Sequence, residues 1–126
     1  MNDVRERYCG HCHQWEDITV RAVEYAVNAL PATLQDHYEA STWTIRVCWR
    51  GPGDRWAVMW MSECYDAQGN HQYESNPSSR TDEFKRLFRF GLEEATEIAK
   101  ALAPKVSVNG HTAEAFAKGL EDGTWR

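Results

Sequence analysis

No run in this 126-residue chain approaches the roughly 18 consecutive apolar residues of a membrane-spanning helix, and the opening MNDVRERYCG lacks the apolar stretch of a secretion signal. Both absences lead to the expectation of a cytoplasmic protein, in which four cysteines read as thiols or metal ligands rather than as structural disulfides. A nucleophile elbow, a phosphate loop, a dinucleotide fingerprint and a His-Glu-x-x-His pair are missing too, so no common catalytic motif argues for an enzyme. Basic charge is in short supply: 14 Lys and Arg stand against 19 Asp and Glu, a net charge of −5. Such a chain repels a polyphosphate at long range, which speaks against nucleic acid as a partner unless basic residues gather locally. The densest group is Arg80, Lys85, Arg86 and Arg89, diluted by Asp82 and Glu83, and interspersed charges of this kind usually form a solvated face. The deficit is concentrated in residues 1–40, which hold seven acidic and three basic side chains. Those carboxylates are too scattered to imitate a nucleic-acid backbone by number alone.

With 42% hydrophobic and 26% charged residues, the composition is that of one globular domain over residues 1–126. Residues 1–16 read as a flexible or metal-tethered N-terminal segment. Tryptophan is abundant, with six residues, and Trp43, Trp49, Trp56 and Trp60 fall in one short stretch. That stretch alternates: TWTIRVCW at 42–49 and RWAVMWMSECY at 55–65 flank Gly51-Pro52-Gly53-Asp54, which predicts a β-hairpin over 42–65. Trp43, Ile45, Val47 and Trp49 share one face of the first strand. In the second, Trp56, Val58 and Trp60 oppose Ala57, Met59 and Met61, a pattern suited to a central strand covered on both sides.

Around the hairpin, residues 17–30 predict an N-terminal helix capped by Asp17, although the β-branched residues at its start also suit a strand over 18–23. A turn at 66–70 followed by HQYES at 71–75 adds a returning strand, and KRLFRF at 85–90 reads as another. Leu92, Ala95, Ile98, Ala99 and Leu102 form an apolar helical stripe, with Glu93, Glu94 and Glu97 towards its start, giving a helix at 92–103 ended by Pro104. Val106, Val108 and the Asn109-Gly110 turn lead to a C-terminal helix over 112–120 capped by Thr112. The expected fold class is α+β, an antiparallel meander with its helices on one face.

Metal or redox ligands crowd only at Cys9-Gly10-His11-Cys12-His13. Cys9 and Cys12 have zinc-knuckle spacing and His13, or His11, adds a third ligand, but a structural site needs four. His37, Cys48, Cys64, His71 and His111 are the candidates for the fourth, and zinc is the sole cofactor the residues suggest. The letters CGHC also match the active-site tetrapeptide of protein disulfide isomerases, without the upstream βα unit such a site requires. Cys48 and Cys64 themselves read as small buried hydrophobes on strands. Asp66, His71 and Glu74 surround one turn, where polar residues more often serve the turn than form an acid-base or metal site. Trp43, Trp49, Trp56 and Trp60 either fill a core or form an aromatic face for a protein partner or a second copy of the chain.

The stretch from WMSECYDAQGNHQYESNPSSR through FRFGLEEATEIAKALAPKVSVNGHT, residues 60–112, resembles small accessory proteins of unknown function from phages of actinobacteria. They share a tryptophan-rich strand, a Gly-containing turn, a Pro-Ser-Ser-Arg loop, an amphipathic helix ending in Ala-Pro and a Val-Asn-Gly turn, in this order. The resemblance implies expression in a host cytoplasm and interference with host or defence proteins, and it carries no catalytic residues. The expected function is accordingly non-enzymatic protein binding, through a sheet face or the acidic N-terminal helix. The alternatives are a small structural zinc domain built on the CGHCH segment and an enzyme using the turn at 66–74.

Overall fold

The computed structural model describes residues 18–124. Its centre is an antiparallel sheet of strands β1 (Glu24–Val27), β2 (Ile45–Trp49), β3 (Trp56–Trp60), β4 (Glu63–Tyr65) and β5 (His71–Tyr73), ordered in space as in sequence. Helix α1 (Asp82–Phe88) and helix α2 (Leu92–Leu102) follow. A two-stranded ribbon of β6 (Ser107–Val108) and β7 (His111–Thr112) then leads into helix α3 (Ala113–Asp122). The α+β meander expected from the sequence is therefore present, with the Trp-rich hairpin at its heart: Val47 faces Val58 and Trp49 faces Trp56 across β2 and β3.

The N-terminal helix expected over 17–30 is absent among the described residues, and strand β1 stands there instead. Ile18, Thr19, Val20, Val23 and Val27 lose χ1 freedom in a helix, and β2 offers an open edge. Tyr25 pairs with Val47 in register, and its ring lies 5.7 Å from that of Trp56. Tertiary pairing decides the conformation here. The strand expected over 55–65 is two strands, because Met61 adopts a φ of 54° and turns the chain back so that Trp60 faces Glu63.

The strand expected at 85–90 is also overturned. Thr81 accepts the Phe84 backbone N–H at 3.0 Å and starts helix α1, whose first turn carries Asp82 and Glu83. Phe84 and Phe88 thereby share one face and stack at 4.9 Å, a helical pairing hidden when 85–90 is read alone. Within 85–90 only Phe90 keeps strand-like backbone pairing, bridging Trp56.

That helix places apolar mass on the second face of the sheet, so the helices are not confined to one face. On one side Ile45, Val47, Trp56 and Val58 pack with Trp43, Ala95, Ala99 and Phe116. On the other, Cys48, Ala57, Met59 and Cys64 pack against Phe84 and Phe88. Small residues at Ala95 and Ala99 let α2 approach β2 and β3, and the two-sided burial of β3 matches its unbroken apolar run. Thr112 caps α3, and Gly123 ends it in the left-handed conformation at φ 77°.

Gly51 is the position in the hairpin turn where glycine is required. Its φ is 36°, and a Cβ there would lie 2.3 Å from the Trp49 ring. Trp49 is pinned in place by its indole N–H donating to the Gly53 carbonyl at 2.6 Å and by the Arg21 guanidinium over its ring at 4.2 Å. Gly51→Ala is therefore expected to cost about 2 kcal/mol through overpacking and a strained φ, read as a lowered denaturant midpoint. An unchanged midpoint would show that the indole swings aside freely.

Candidate anion-binding site

The hairpin turn ends in two like charges. Arg50 and Arg55 close it, the Arg50 N–H donating to the Arg55 carbonyl at 2.8 Å. Like charges opposite one another on adjacent strands repel, so this pair calls for a counter-charge. Glu74, just beyond β5, supplies it for Arg50, whose Nε donates to the carboxylate at 2.7 Å. The same carboxylate takes two bonds from Arg89, at 3.3 and 2.9 Å, and an ion pair from Arg80 at 3.2 Å. Arg80 is held by its Nε donating to the Ser75 carbonyl, and Arg89 by the Phe88 carbonyl and the Phe84 ring.

Burial makes this network consequential. The side chains of Glu74, Arg89 and Arg80 are 8%, 5% and 16% exposed. Burial alone would raise the pKa of Glu74, but the hydrogen bond from Arg50 and the charge and hydrogen bonds of Arg89 outweigh it and hold the carboxyl below its ordinary value. Burial pushes Arg89 down, opposed by Glu74 and reinforced by the nearby charges of Arg80 and Arg50. One carboxylate therefore serves three guanidiniums and leaves a positive surplus.

The surplus opens onto a small cavity. Arg50, Arg55, Arg80, Lys85 and Arg89 line a space of about 210 Å³ completed by Gly51 and Pro77, with no carboxylate in the lining. Next to it lies a larger hollow of about 650 Å³ that shares Arg55, Lys85 and Arg89 but is balanced by Asp54, Asp82 and Glu94. Asp54 is already committed, accepting from the Trp56 indole at 2.9 Å and from the Leu92 backbone N–H at 3.0 Å. Chemically the small cavity can hold and orient an anion. It presents arginine forks suited to oxyanions and no group arranged as a nucleophile or base.

Of the basic residues prominent in sequence, Arg80, Lys85 and Arg89 meet here, whereas Arg86 lines only the larger hollow and lies 3.9 Å from Glu83. Arg50, Arg55 and Glu74 lie far from them in sequence or carry no shared pattern with them, and join them only in the fold. The signal that could have found them is the symmetric RGPGDR turn, whose like-charged closing pair implies an acid elsewhere in the chain.

The other candidates disperse. Cys9, Cys12 and His13 lie outside the described residues, as do His11 and Asp17. Among the described residues no three His, Cys, Asp or Glu side chains are grouped to hold a metal ion. Cys48 and Cys64 are buried in the second core, and burial, followed by the neighbouring Glu74 charge, pushes the Cys64 thiol up to about 12, which disfavours the thiolate that metals bind. His37 stacks on Tyr38, and His71 pairs with Glu63. The turn at 66–74 is not one site: Asp66 accepts from Gln68 and Asn70 within the turn, while His71 and Glu74 reach separate partners. Trp43 and Trp56 are buried at 2% and 5% exposure, and half-buried Trp49 and Trp60 pack against the same core. All four indole N–H groups are spent within the chain, on His111, Gly53, Asp54 and Thr42.

The fold and this cavity define a small α+β domain with a preformed cationic well beside its central hairpin. Compared with known proteins, the chain matches no family model, no curated protein and no solved structure. Among the described residues no helix is long and apolar enough to cross a membrane.

Proposed function

We propose that this protein acts by binding a protein partner, without catalysis, and that the partner presents an anionic group to the well formed by Arg50, Arg55, Arg80, Lys85 and Arg89. The observation that carries this reading is the charge imbalance: five cationic side chains line the cavity, and among the described residues Glu74 is the one carboxylate that pairs with any of them. Preformed, partly desolvated arginines favour an incoming carboxylate or phosphate because the fork geometry is already in place. The two surfaces expected from the sequence are less suited, since helices cover both faces of the central sheet and β1 stands where an acidic helix was expected. The resemblance of residues 60–112 to phage accessory proteins supports a phage-encoded binder acting in a host cytoplasm.

The test is affinity capture from an actinobacterial lysate, comparing the unaltered chain with the double variant Arg55→Glu, Lys85→Glu. Neither residue has an ion pair among the described residues, so the fold is expected to survive. A partner that uses the well loses about 2 kcal/mol or more of binding free energy to the double reversal. A partner held equally by both proteins would move the interface elsewhere.

A further inference from the structure

The chemistry of the anion can be narrowed, an inference that rests on the reading of the well as a binding site. In the Glu74 network Arg50 spends Nε and Nη1, Arg80 spends Nε and Nη2, and Arg89 spends Nη1 and Nη2. Arg50 Nη2, Arg80 Nη1 and Arg89 Nε have no acceptor among the described residues. Yet no buried side-chain nitrogen or oxygen there lacks a partner, so these three atoms are reached by solvent. Arg55 and Lys85 add two further cations without an ion pair among the described residues. We infer that the well binds a single phosphoryl monoester dianion, by guanidinium N–H bonds from Arg50, Arg80 and Arg89 and charge contacts from Arg55 and Lys85.

Three features favour this ligand over other anions. A carboxylate brings one charge and two oxygens, whereas a phosphoryl group brings close to two charges and three strong acceptor oxygens, a better match to several donors from different directions. The cavity, about 210 Å³, is below the roughly 300–1,000 Å³ of pockets that enclose whole drug-sized ligands, so it suits a terminal group whose bearer stays outside. The neighbouring hollow then decides against a polymer. Asp54, Asp82 and Glu94 stand beside the shared cations Arg55, Lys85 and Arg89, and they repel a second phosphate along a nucleic-acid backbone. An isolated phosphoryl group meets no such penalty, least of all one flanked by basic groups.

The experiment titrates the full chain with phenyl phosphate, benzoate and a short DNA duplex, following arginine Nε–H resonances and heat of binding. At pH 7.5 phenyl phosphate is expected to bind about tenfold or more tightly than benzoate. Its affinity falls as pH drops through about 6, where the dianion takes up a proton. Lys85→Ala and Arg55→Ala, which leave the Glu74 network intact, should each weaken it about tenfold. A phosphoserine peptide that binds well above its unphosphorylated twin and above inorganic phosphate identifies a modified protein as the source; the reverse order identifies a small phosphorylated molecule. Equal binding of benzoate and phenyl phosphate overturns the phosphoryl inference and leaves the anionic-partner reading standing. Tighter binding of the duplex overturns the single-phosphoryl inference in favour of a polyanion, and binding of none of the probes overturns both readings.

Discussion

Glu74→Gln is expected to lower stability by about 3 kcal/mol at neutral pH, because it leaves the buried Arg89 and the largely buried Arg80 facing each other and Arg50 without their shared counter-ion. The amide keeps the shape and an acceptor oxygen, so the loss reports charge rather than volume. The effect carries a pH signature. Glu74 has a folded-state pKa below its ordinary value, so its contribution is complete above the unfolded value near 4.3 and drains as pH falls towards and through the folded one. Denaturation curves of the wild type and Glu74→Gln should therefore lie farthest apart above about pH 5 and converge in acid. A gap that persists undiminished at pH 2 would mean that packing, not charge, is what the substitution removed. Phosphate adds a second readout: an anion bound by the native state stabilises it by mass action, and the variant, with its larger positive surplus, is expected to gain more from added phosphate than the wild type.

The second large effect lies in the main core. Trp43 stacks on Phe116 at a centroid distance of 4.3 Å, and its indole N–H donates to the His111 carbonyl at 2.9 Å, so one side chain ties the entrance of β2 to the last helix and the β6–β7 ribbon. Trp43→Ala is expected to cost about 3–5 kcal/mol, a large share of the stability of a domain of this size, from lost burial plus the cavity left against Phe116. Trp43→Phe restores the stacking area without the indole donor and should recover more than half of that loss. Urea denaturation of the pair checks this, and a loss below about 1 kcal/mol for the alanine variant would mean that the surrounding side chains collapse into the space. Trp60→Ala, at a half-buried position, should cost less than Trp43→Ala.

How much of this was legible in the sequence varied with the range of the forces involved. The hairpin, α2 and α3 were readable because their signals are local and agree. Alternation around Gly51-Pro52-Gly53-Asp54 coincides with turn chemistry, and the Leu92 to Leu102 stripe coincides with acidic residues at its start. Helix α1 was misread because a window at 85–90 leaves out Thr81 and Phe84, the cap and the first half of its apolar pair. The N-terminal element departs from expectation because Ile18, Ala22, Tyr25, Ala26 and Ala29 recur at near-helical spacing, while the deciding contact, the open edge of β2, lies some twenty residues downstream. The anion site was legible only in part: Arg80, Lys85 and Arg89 stood out as a basic group, whereas Arg50 and Arg55 belong to a turn and Glu74 to a strand end.

By itself, then, the order of residues determined the class of fold, the pairing of β2 with β3, the two-sided burial of β3 and the positions of α2 and α3, since periodicity, capping and turn preference act over a few residues. Only the tertiary structure decided that helix α1 closes the second face of the sheet and that the acidic pair Asp82 and Glu83 begins that helix. It alone decided that one buried glutamate gathers three arginines from three separate segments. Charge acts through space rather than along the chain, so a net-acidic sequence carries a cationic well where its folding brings more guanidinium than carboxylate together.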